Sequence, residues 1–323
     1  MTPAQLKTFA AIVRHGSAKA AAAELGVSEA AVSAHTAALR KELNDPLYRR
    51  SANGLAFTPG GLRLATRAAE LLGLQDLTRR EVRAAGDGRR VLRLATTALF
   101  AEYAAPGLIE LFKTRANDLD VEMSVEDGDR FVELLASRQA DVTIGPVGGQ
   151  ASALAVTDQL TSREFLRYQL VLVVHPKHAL AKKRVTARQL TWAPWLLGPS
   201  AAEVGGATAT LLRRFAVPED QQRIFQSHAA ALAEVADGNG IGIAPEFRVR
   251  EALAAGRLHR ISAPGADAQA TWTATTLAAS QASAVAVELG RFVSTPRAIQ
   301  AMLSGKGSNV GRFRPRVHVT LWS

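Results

Sequence analysis

The chain has 323 residues, 47% of them apolar, a formal net charge of +10 and no cysteine. That length holds a small head plus one large or two medium lobes. The missing thiols exclude disulfides, thiolate metal sites and cysteine nucleophiles. Lys7 and Arg14 interrupt the first twenty residues, and no apolar stretch is long enough to span a bilayer, so a cytoplasmic protein is expected. Charge is uneven. Residues 1–90 carry 14 basic against 8 acidic side chains, 91–304 carry 21 of each, and the tail 305–323 adds Lys306, Arg312, Arg314 and Arg316. A basic head on a neutral body suits a polyanion partner at the amino end.

The first helix runs through Leu6, Phe9, Ile12 and Val13. Ser17 then stands before a run of alanines as a capping hydroxyl, and Gly26 supplies the left-handed residue that ends that helix. Ser28 caps the next helix, with Glu29 at the positive end of its dipole. Val32, Leu39 and Leu43 make its inner stripe; Ala30, Ser33, Ala34, Ala37, Arg40 and Lys41 lie on or beside the outer face. This is a helix-turn-helix whose second helix suits a DNA major groove, small side chains admitting base edges and Arg40 and Lys41 reaching phosphates. Next, Leu47–Arg50 and Leu55–Phe57 flank Ser51–Ala52–Asn53–Gly54, where Asn-Gly signals a hairpin that would bring Arg49 and Arg50 near the DNA backbone.

The ordered set Leu6, Phe9, Gly16–Ser17, Ala21–Ala22, Leu25, Val27–Ser28, Ala31, Ser33, Leu39, Leu43, Pro46–Leu47, Arg50 and Thr58–Pro59–Gly60–Gly61 resembles the LysR-type transcriptional regulators. The resemblance covers residues 1 to about 300. It implies an α/β protein with a winged helix-turn-helix (1–60), a linker helix and hinge (61–90), and a two-lobed effector domain related to periplasmic binding proteins (91–304). Lobe I would take about 91–161 and 263–304, and lobe II about 162–262. The DNA contacts expected are Ser17, Ser28, Glu29, Ala30, Ser33, Ala34, Arg40, Lys41, Arg49 and Arg50. Glu29 and Ala30 stand where the family often has Gln-Pro, and Ala34, Asn53 and Ala56 where it is often basic, so the base contacts should differ from the usual set. Glu29 either accepts from a cytosine amino group or selects sequence by repulsion.

Thr58–Pro59 opens the linker as a capping hydroxyl with proline at the first helical position. Leu64, Ala68, Leu71, Leu74, Thr78 and Val82 recur at helical spacing, a stripe that a lone helix cannot bury. Pairing with a second copy, or packing on the chain's own body, would cover it. The resemblance favours a homodimer and commonly a homotetramer, with double-stranded DNA, a small-molecule effector and RNA polymerase as candidate partners. Ala85–Arg90 reads as a hinge.

From Val91 strands and helices alternate as in a parallel sheet with helices on its faces: strands at 91–95, 121–125 and 141–145, then a second lobe from Leu170 with strands near Trp195, Arg223 and Ile241. Thr271–Leu277 and one helix from Ser283 to Met302 return to the first lobe. Ligands in such sheets bind beyond the carboxyl ends of strands. Thr96, Thr97, Leu99 and Phe100, Gly145 and Pro146, Gly198 and Ser200, and Ser227 and His228 meet there on this reading, matching where the family places its effector contacts. Helix ends favour a carboxylate or other anion as effector. Each serine or threonine has an alternative as a plain cap, and His228 as a capping or surface residue. Gly238–Gly242 fits a helix-to-strand turn better than a nucleotide cradle.

No Ser-His-Asp constellation and no metal-spaced cluster stands out, so no catalytic residue, cofactor or metal is expected. A bilobed dehydratase- or deaminase-like enzyme is the alternative; a solute-binding carrier is disfavoured by the lack of an export signal. The basic tail, with Arg312–Phe313–Arg314–Pro315–Arg316 before a strand-like Val317–Trp322, is left without a role.

Overall fold

The computed structural model describes residues 1–51, 54–116, 118–146, 159–181, 184–203 and 205–304. Asn53 and the tail 305–323 lie outside them. The described residues form two units, Met1–Gly88 with the short segment Ala136–Gln139, and Arg89–Leu135 with the chain from Ala140 onward.

The first unit opens with three helices, α1 (Pro3–His15), α2 (Ala18–Leu25) and α3 (Glu29–Leu43). Thr2 and Gln5 form a capping box on α1, and the amide of Ala20 donates to Ser17 Oγ at 3.3 Å. Gly26, at φ 64°, closes α2 as the sequence predicts. The Ala31 amide donates to Ser28 Oγ at 3.2 Å and starts α3. Along α3 the inner stripe is Val32, Thr36 and Leu39, while Leu43 is 40% exposed. Threonine replaces leucine on that face because its hydroxyl is satisfied within the helix, donating to the Val32 carbonyl at 2.9 Å.

Strands β1 (Tyr48–Ser51) and β2 (Gly54–Phe57) pair antiparallel from Tyr48↔Phe57 to Ser51↔Gly54, as the hairpin signal requires. The rings of Phe9, Tyr48 and Phe57 meet at 5.8–6.5 Å and bind the hairpin to α1. Helix α4 (Pro59–Asp87) spans 29 residues and is capped by Thr58 Oγ1, which accepts from the Gly61 amide at 2.9 Å. Leu64 and Ala68 are buried with Leu6, Phe9 and Leu39, whereas Leu71, Leu74 and Val82 are exposed.

The stretch expected to be a hinge contains the boundary between the two units, at Gly88 and Arg89, and carries regular structure on either side of it. Helix α4 continues through Asp87, Gly88 closes it at φ 65°, and Arg90 already belongs to β3. Arg89 and Arg90 make bidentate pairs with Asp120 and Asp118, which is why the glycine-flanked pair of arginines begins a strand.

In the second unit nine strands form one mixed sheet among the described residues: β3 (Arg90–Thr96), β4 (Leu119–Val125), β5 (Val142–Gly145), β6 (Leu160–Val174), β7 (Trp195–Leu197), β8 (Gln222–Ile224), β9 (Ile241–Pro245), β10 (His259–Arg260) and β11 (Ala268–Leu277). Their order is β4-β3-β5-β11-β6-β9-β7-β8, with β10 beside β6. The two long strands β6 and β11 run antiparallel through both lobes and shift register once, between Trp272 and Thr273. The sequence predicts only the last third of β6, because Leu170–Val174 alone is a continuous apolar run buried on both faces.

Lobe I packs α5 (Ala98–Tyr103), α6 (Ala105–Lys113) and α7 (Phe131–Ala136) around β3–β5. Phe100, Leu108, Phe112, Ile144 and Trp272 lie at its centre. The expected C-terminal helix is broken into α12 (Ala284–Phe292) and α13 (Pro296–Leu303). Pro296 cannot continue α12 but suits a first turn, and Thr295 Oγ1 accepts from the Ala298 amide at 3.3 Å. Lobe II places α8 (Ala187–Thr191) and α9 (Ala207–Arg214) on one face of its sheet, where Trp195 and Phe215 lie, and α10 (His228–Ala236) and α11 (Glu246–Ala254) on the other. No helix among the described residues is long and apolar enough to cross a membrane.

Candidate functional site

Two surfaces hold the residues singled out by sequence. On the head, Glu29, Ala30, Ser33, Ala34, Ala37 and Lys41 are all exposed along one side of α3, opposite the Val32–Thr36–Leu39 stripe. Ser17 and Ser28 are committed as caps, so their hydroxyls mark the two helix starts. Arg49 and Arg50 are exposed on β1. Arg40 sits differently. Its Nε donates to the Pro46 carbonyl at 2.7 Å, its Nη2 to the Tyr48 carbonyl at 2.9 Å, and its guanidinium lies 4.5 Å from the Tyr48 ring centre. That geometry fixes the hairpin to α3 and leaves Arg40 less free for phosphate than its place in the sequence suggested.

Between the lobes of the second unit lies a cavity of about 450 Å³. Thr97, Leu99, Pro146 and Ser200 line it. The other six residues expected there stand behind the wall. Thr96 spends its hydroxyl on the Ile144 carbonyl at 2.6 Å. Phe100 is buried against Trp272, ring centres 4.9 Å apart. Gly145 gives room to the Phe131 ring and the Thr97 methyl, and Ser227 caps α10 through the Ala230 amide. Gly198 lets His228 lie against the backbone, since a Cβ there would collide with the imidazole.

His228 is 3% exposed and is held from both sides. Its Nε2 is 2.8 Å from Ser200 Oγ and its Nδ1 is 2.9 Å from Glu102 Oε2. The Glu102 carboxylate also accepts from the amides of His228 (2.8 Å) and Ala229 (2.6 Å), so an acid on lobe I caps a helix of lobe II. Burial works to raise the pKa of Glu102; the His228 ring and the two amides outweigh it and hold the carboxyl below its ordinary value. Sequence reading found no Ser-His-acid constellation. The fold makes one from positions 102, 200 and 228, which no local spacing connects.

Sequence reading also missed Tyr168, Glu203, Thr208 and Thr273, which line the cavity. The Thr273 hydroxyl, at the register shift of β11, is buried and has no hydrogen-bond partner among the described residues. Burial, then nearby Asp127, raises the Glu203 carboxyl to about 7. The Tyr168 hydroxyl is pushed upward by burial and by the charge of Glu203. An alternation of strand-forming residues gave no signal for Thr273. Glu203 sits in a Gly- and Ala-rich turn that reads as a loop.

Residues 3–62 match the model of the bacterial regulatory helix-turn-helix protein, lysR family, and residues 85–295 match that of the LysR substrate binding domain. The chain is 54% identical over 323 residues to the HTH-type transcriptional regulator Rv0377 of Mycobacterium tuberculosis, covering 100% of both. It is 27% identical over 272 residues to the HTH-type transcriptional regulator YeiE of Escherichia coli, covering 82% of this chain and 87% of that one. Among solved structures, ArgP from Mycobacterium tuberculosis shares the fold at a TM-score of 0.55 and 19% identity, over 94% of this chain and 97% of that one. The probable transcriptional regulator PA0477 from Pseudomonas aeruginosa does so at 0.53 and 21%, over 90% and 96%. With a matched DNA-binding head and a matched two-lobed body, the chain belongs to the LysR family of transcriptional regulators.

Proposed function

We propose that the exposed side of α3 reads an operator in the major groove and that the cavity between the lobes holds the effector controlling it. The observation that carries this is the outward stripe of Ala30, Ser33, Ala34, Ala37 and Lys41 on a helix clamped from behind by a closed core. Small side chains let base edges approach, and Lys41 supplies a phosphate contact. Glu29 stands at the helix start where it bears on base choice. Arg49 and Arg50 extend the basic surface along the hairpin, with Arg40 acting as the brace that sets its angle. The α2 and α3 starts, marked by Ser17 and Ser28, offer amides to the backbone. The exposed Leu71, Leu74 and Val82 on α4, the last at 68%, support a dimer paired through that helix. Two heads then address half-sites about one helical turn, or a multiple, apart. Such a regulator works in the cytoplasm beside RNA polymerase, and its dimers join as tetramers.

Effector contacts on this reading are Thr97, Leu99, Pro146 and Ser200 from the expected set, joined by Tyr168, Glu203, Thr208 and Thr273. A ligand that engages Ser200 competes with or reinforces its hydrogen bond to His228, so occupancy bears on the Glu102–His228 tie across the lobes. The same array has the order of a hydrolytic triad, but the neighbouring amides of Ala201 and Ala202 already donate to Gly198 and Pro199 carbonyls, leaving them unavailable as an oxyanion hole. A ligand-positioning role accounts for the geometry better than turnover. Fluorescence anisotropy of the full chain on DNA from its own promoter region tests the reading. Affinity should exceed that for random duplex and fall steeply with salt. Equal affinity for both duplexes at moderate salt would overturn it.

A further inference from the structure

We propose that the effector carries a protonated amine, held by Glu203, with the hydroxyls of Thr97, Ser200 and Thr273 binding its neutral polar groups. The inference rests on the reading of the cavity as the effector site and reverses the sign of charge that helix ends alone would favour.

Free charge in the cavity decides the matter. Asp267 at the wall is paired with Arg260 at 2.8 Å, and Glu164 is exposed with Arg167 at 3.5 Å. Arg214 is the one positively charged lining residue among the described residues; it is exposed, so solvent screens its charge, and its Nη1 donates to the carbonyls of Gly265 (2.8 Å) and Asp267 (3.3 Å). Glu203 alone among these acids makes no ion pair or side-chain hydrogen bond among the described residues, although it is half-buried. A half-buried carboxylate with no partner loses part of its hydration, and a cation delivered by a ligand offsets that loss. Asp127 adds a second negative charge nearby, strengthening attraction for a cation and repelling an anion. The raised carboxyl, at about 7, is the counterpart of this vacancy in the hydrogen-bonding scheme: charge on Glu203 is disfavoured until a positive group arrives.

The second observation is independent of charge. Thr273 is 3% exposed, lines the cavity and leaves its hydroxyl oxygen unsatisfied. The register shift beside it is the irregularity that re-aims strand side chains near binding sites. Thr97, 1% exposed, stands at the start of α5 yet makes no capping bond with its side chain. Ser200 lines the cavity, its Oγ 2.8 Å from His228 Nε2 and 3.4 Å from Thr208 Oγ1. Threonines and serine thus present polar oxygens not consumed by secondary structure, at a site large enough for a metabolite.

Butylamine, 4-aminobutyrate and butyrate share a carbon chain and carry the cation alone, both charges and the anion alone. Melting of the full-length protein is followed by tryptophan fluorescence with each at about 10 mM, where a site of millimolar affinity gives a measurable stabilisation. Butylamine and 4-aminobutyrate should raise the midpoint and butyrate should not. E203Q should weaken amine binding about 10-fold or more, and T273V by a smaller factor. E203Q, which removes only a disfavoured charge, should still melt cooperatively without ligand. A midpoint raised only by butyrate, or by none of the three, would overturn the proposal. Amine binding that survives E203Q but weakens in T273V or T97V would overturn the role of Glu203 while sparing the cavity reading. Amine binding indifferent to all three variants would overturn both.

Discussion

Replacing Glu102 with alanine should loosen the second unit by about 3 kcal/mol. The carboxylate accepts three hydrogen bonds, from the His228 ring at 2.9 Å and from the amides of His228 and Ala229 at 2.8 and 2.6 Å. Each donor stranded in a buried place costs about 1–3 kcal/mol. Ala229 is exposed, so water replaces its acceptor; His228 is buried and its two donors bear most of the loss. The Ser227 cap persists and limits the damage to the first turn of α10. Among the described residues the tryptophans are Trp192, Trp195 and Trp272, all in the second unit, so their fluorescence in urea reports that unit rather than the DNA-reading helices. With a slope of about 3 kcal/mol per molar, the midpoint should fall by about 1 M. Glu102→Gln should lose about half as much. The double variant E102A/H228A should be less destabilised than the sum of its parts, since both act on one tie. A midpoint within about 0.2 M of the parent would refute the claim that this contact contributes to holding the lobes.

The two half-buried glutamates should respond to pH with opposite signs. The Glu102 carboxyl lies below its ordinary 4.5, so its contribution is present above that pH and disappears on acidification. Glu203, raised to about 7, favours the folded state below about 4.5, and that advantage is lost as pH climbs through 7. E203Q should therefore be more stable than the parent at pH 8 by about 1–3 kcal/mol and equal to it near pH 4, as read from urea midpoints. Gly198→Ala forces a methyl group against the His228 ring, displacing it and costing about 1–3 kcal/mol; an unchanged melting curve would mean that the ring gives way freely. On the head, Lys41→Ala should weaken binding to all duplexes alike and reduce the salt slope by about 1, as a phosphate contact does. Arg40→Ala should instead lower the melting temperature of the head, seen by far-ultraviolet circular dichroism, because it detaches the hairpin from α3.

The head was legible because its instructions are local. Ser17, Gly26 and Ser28 act within three residues of themselves, and the structure uses each as a cap or turn. The exception, Thr36 in place of Leu43, shows a polar residue satisfied inside the helix and an apolar one left outside. The alternation of strands and helices in the body was readable for the same reason, but the single helix expected from Ser283 to Met302 passed over Pro296, where proline chemistry breaks it in two. The cavity was readable only in part. Strand ends gave Thr97, Pro146 and Ser200, since a loop following a strand must lie near the crossing of the lobes. Nothing in the neighbourhood of Glu102 points 126 residues ahead to His228. Glu203 and Thr273 acquire meaning only through what fails to reach them, and a missing partner leaves no mark in a linear string.

Because β6 and β11 traverse both lobes as one hydrogen-bonded ribbon, with Leu277↔Leu160 at one end and Ala268↔Leu170 at the other, the halves cannot swing as jaws on slack cords. Any motion on ligand capture has to be stored as torsion in that ribbon, and its softest point is the misaligned step between Trp272 and Thr273, beside the orphaned hydroxyl. A sensor built this way is a stiff spring: it trades large amplitude for a restoring force. Slower amide exchange confined to residues 164–168 and 270–274 on saturation would be its signature, and protection spread evenly over both halves would argue against it.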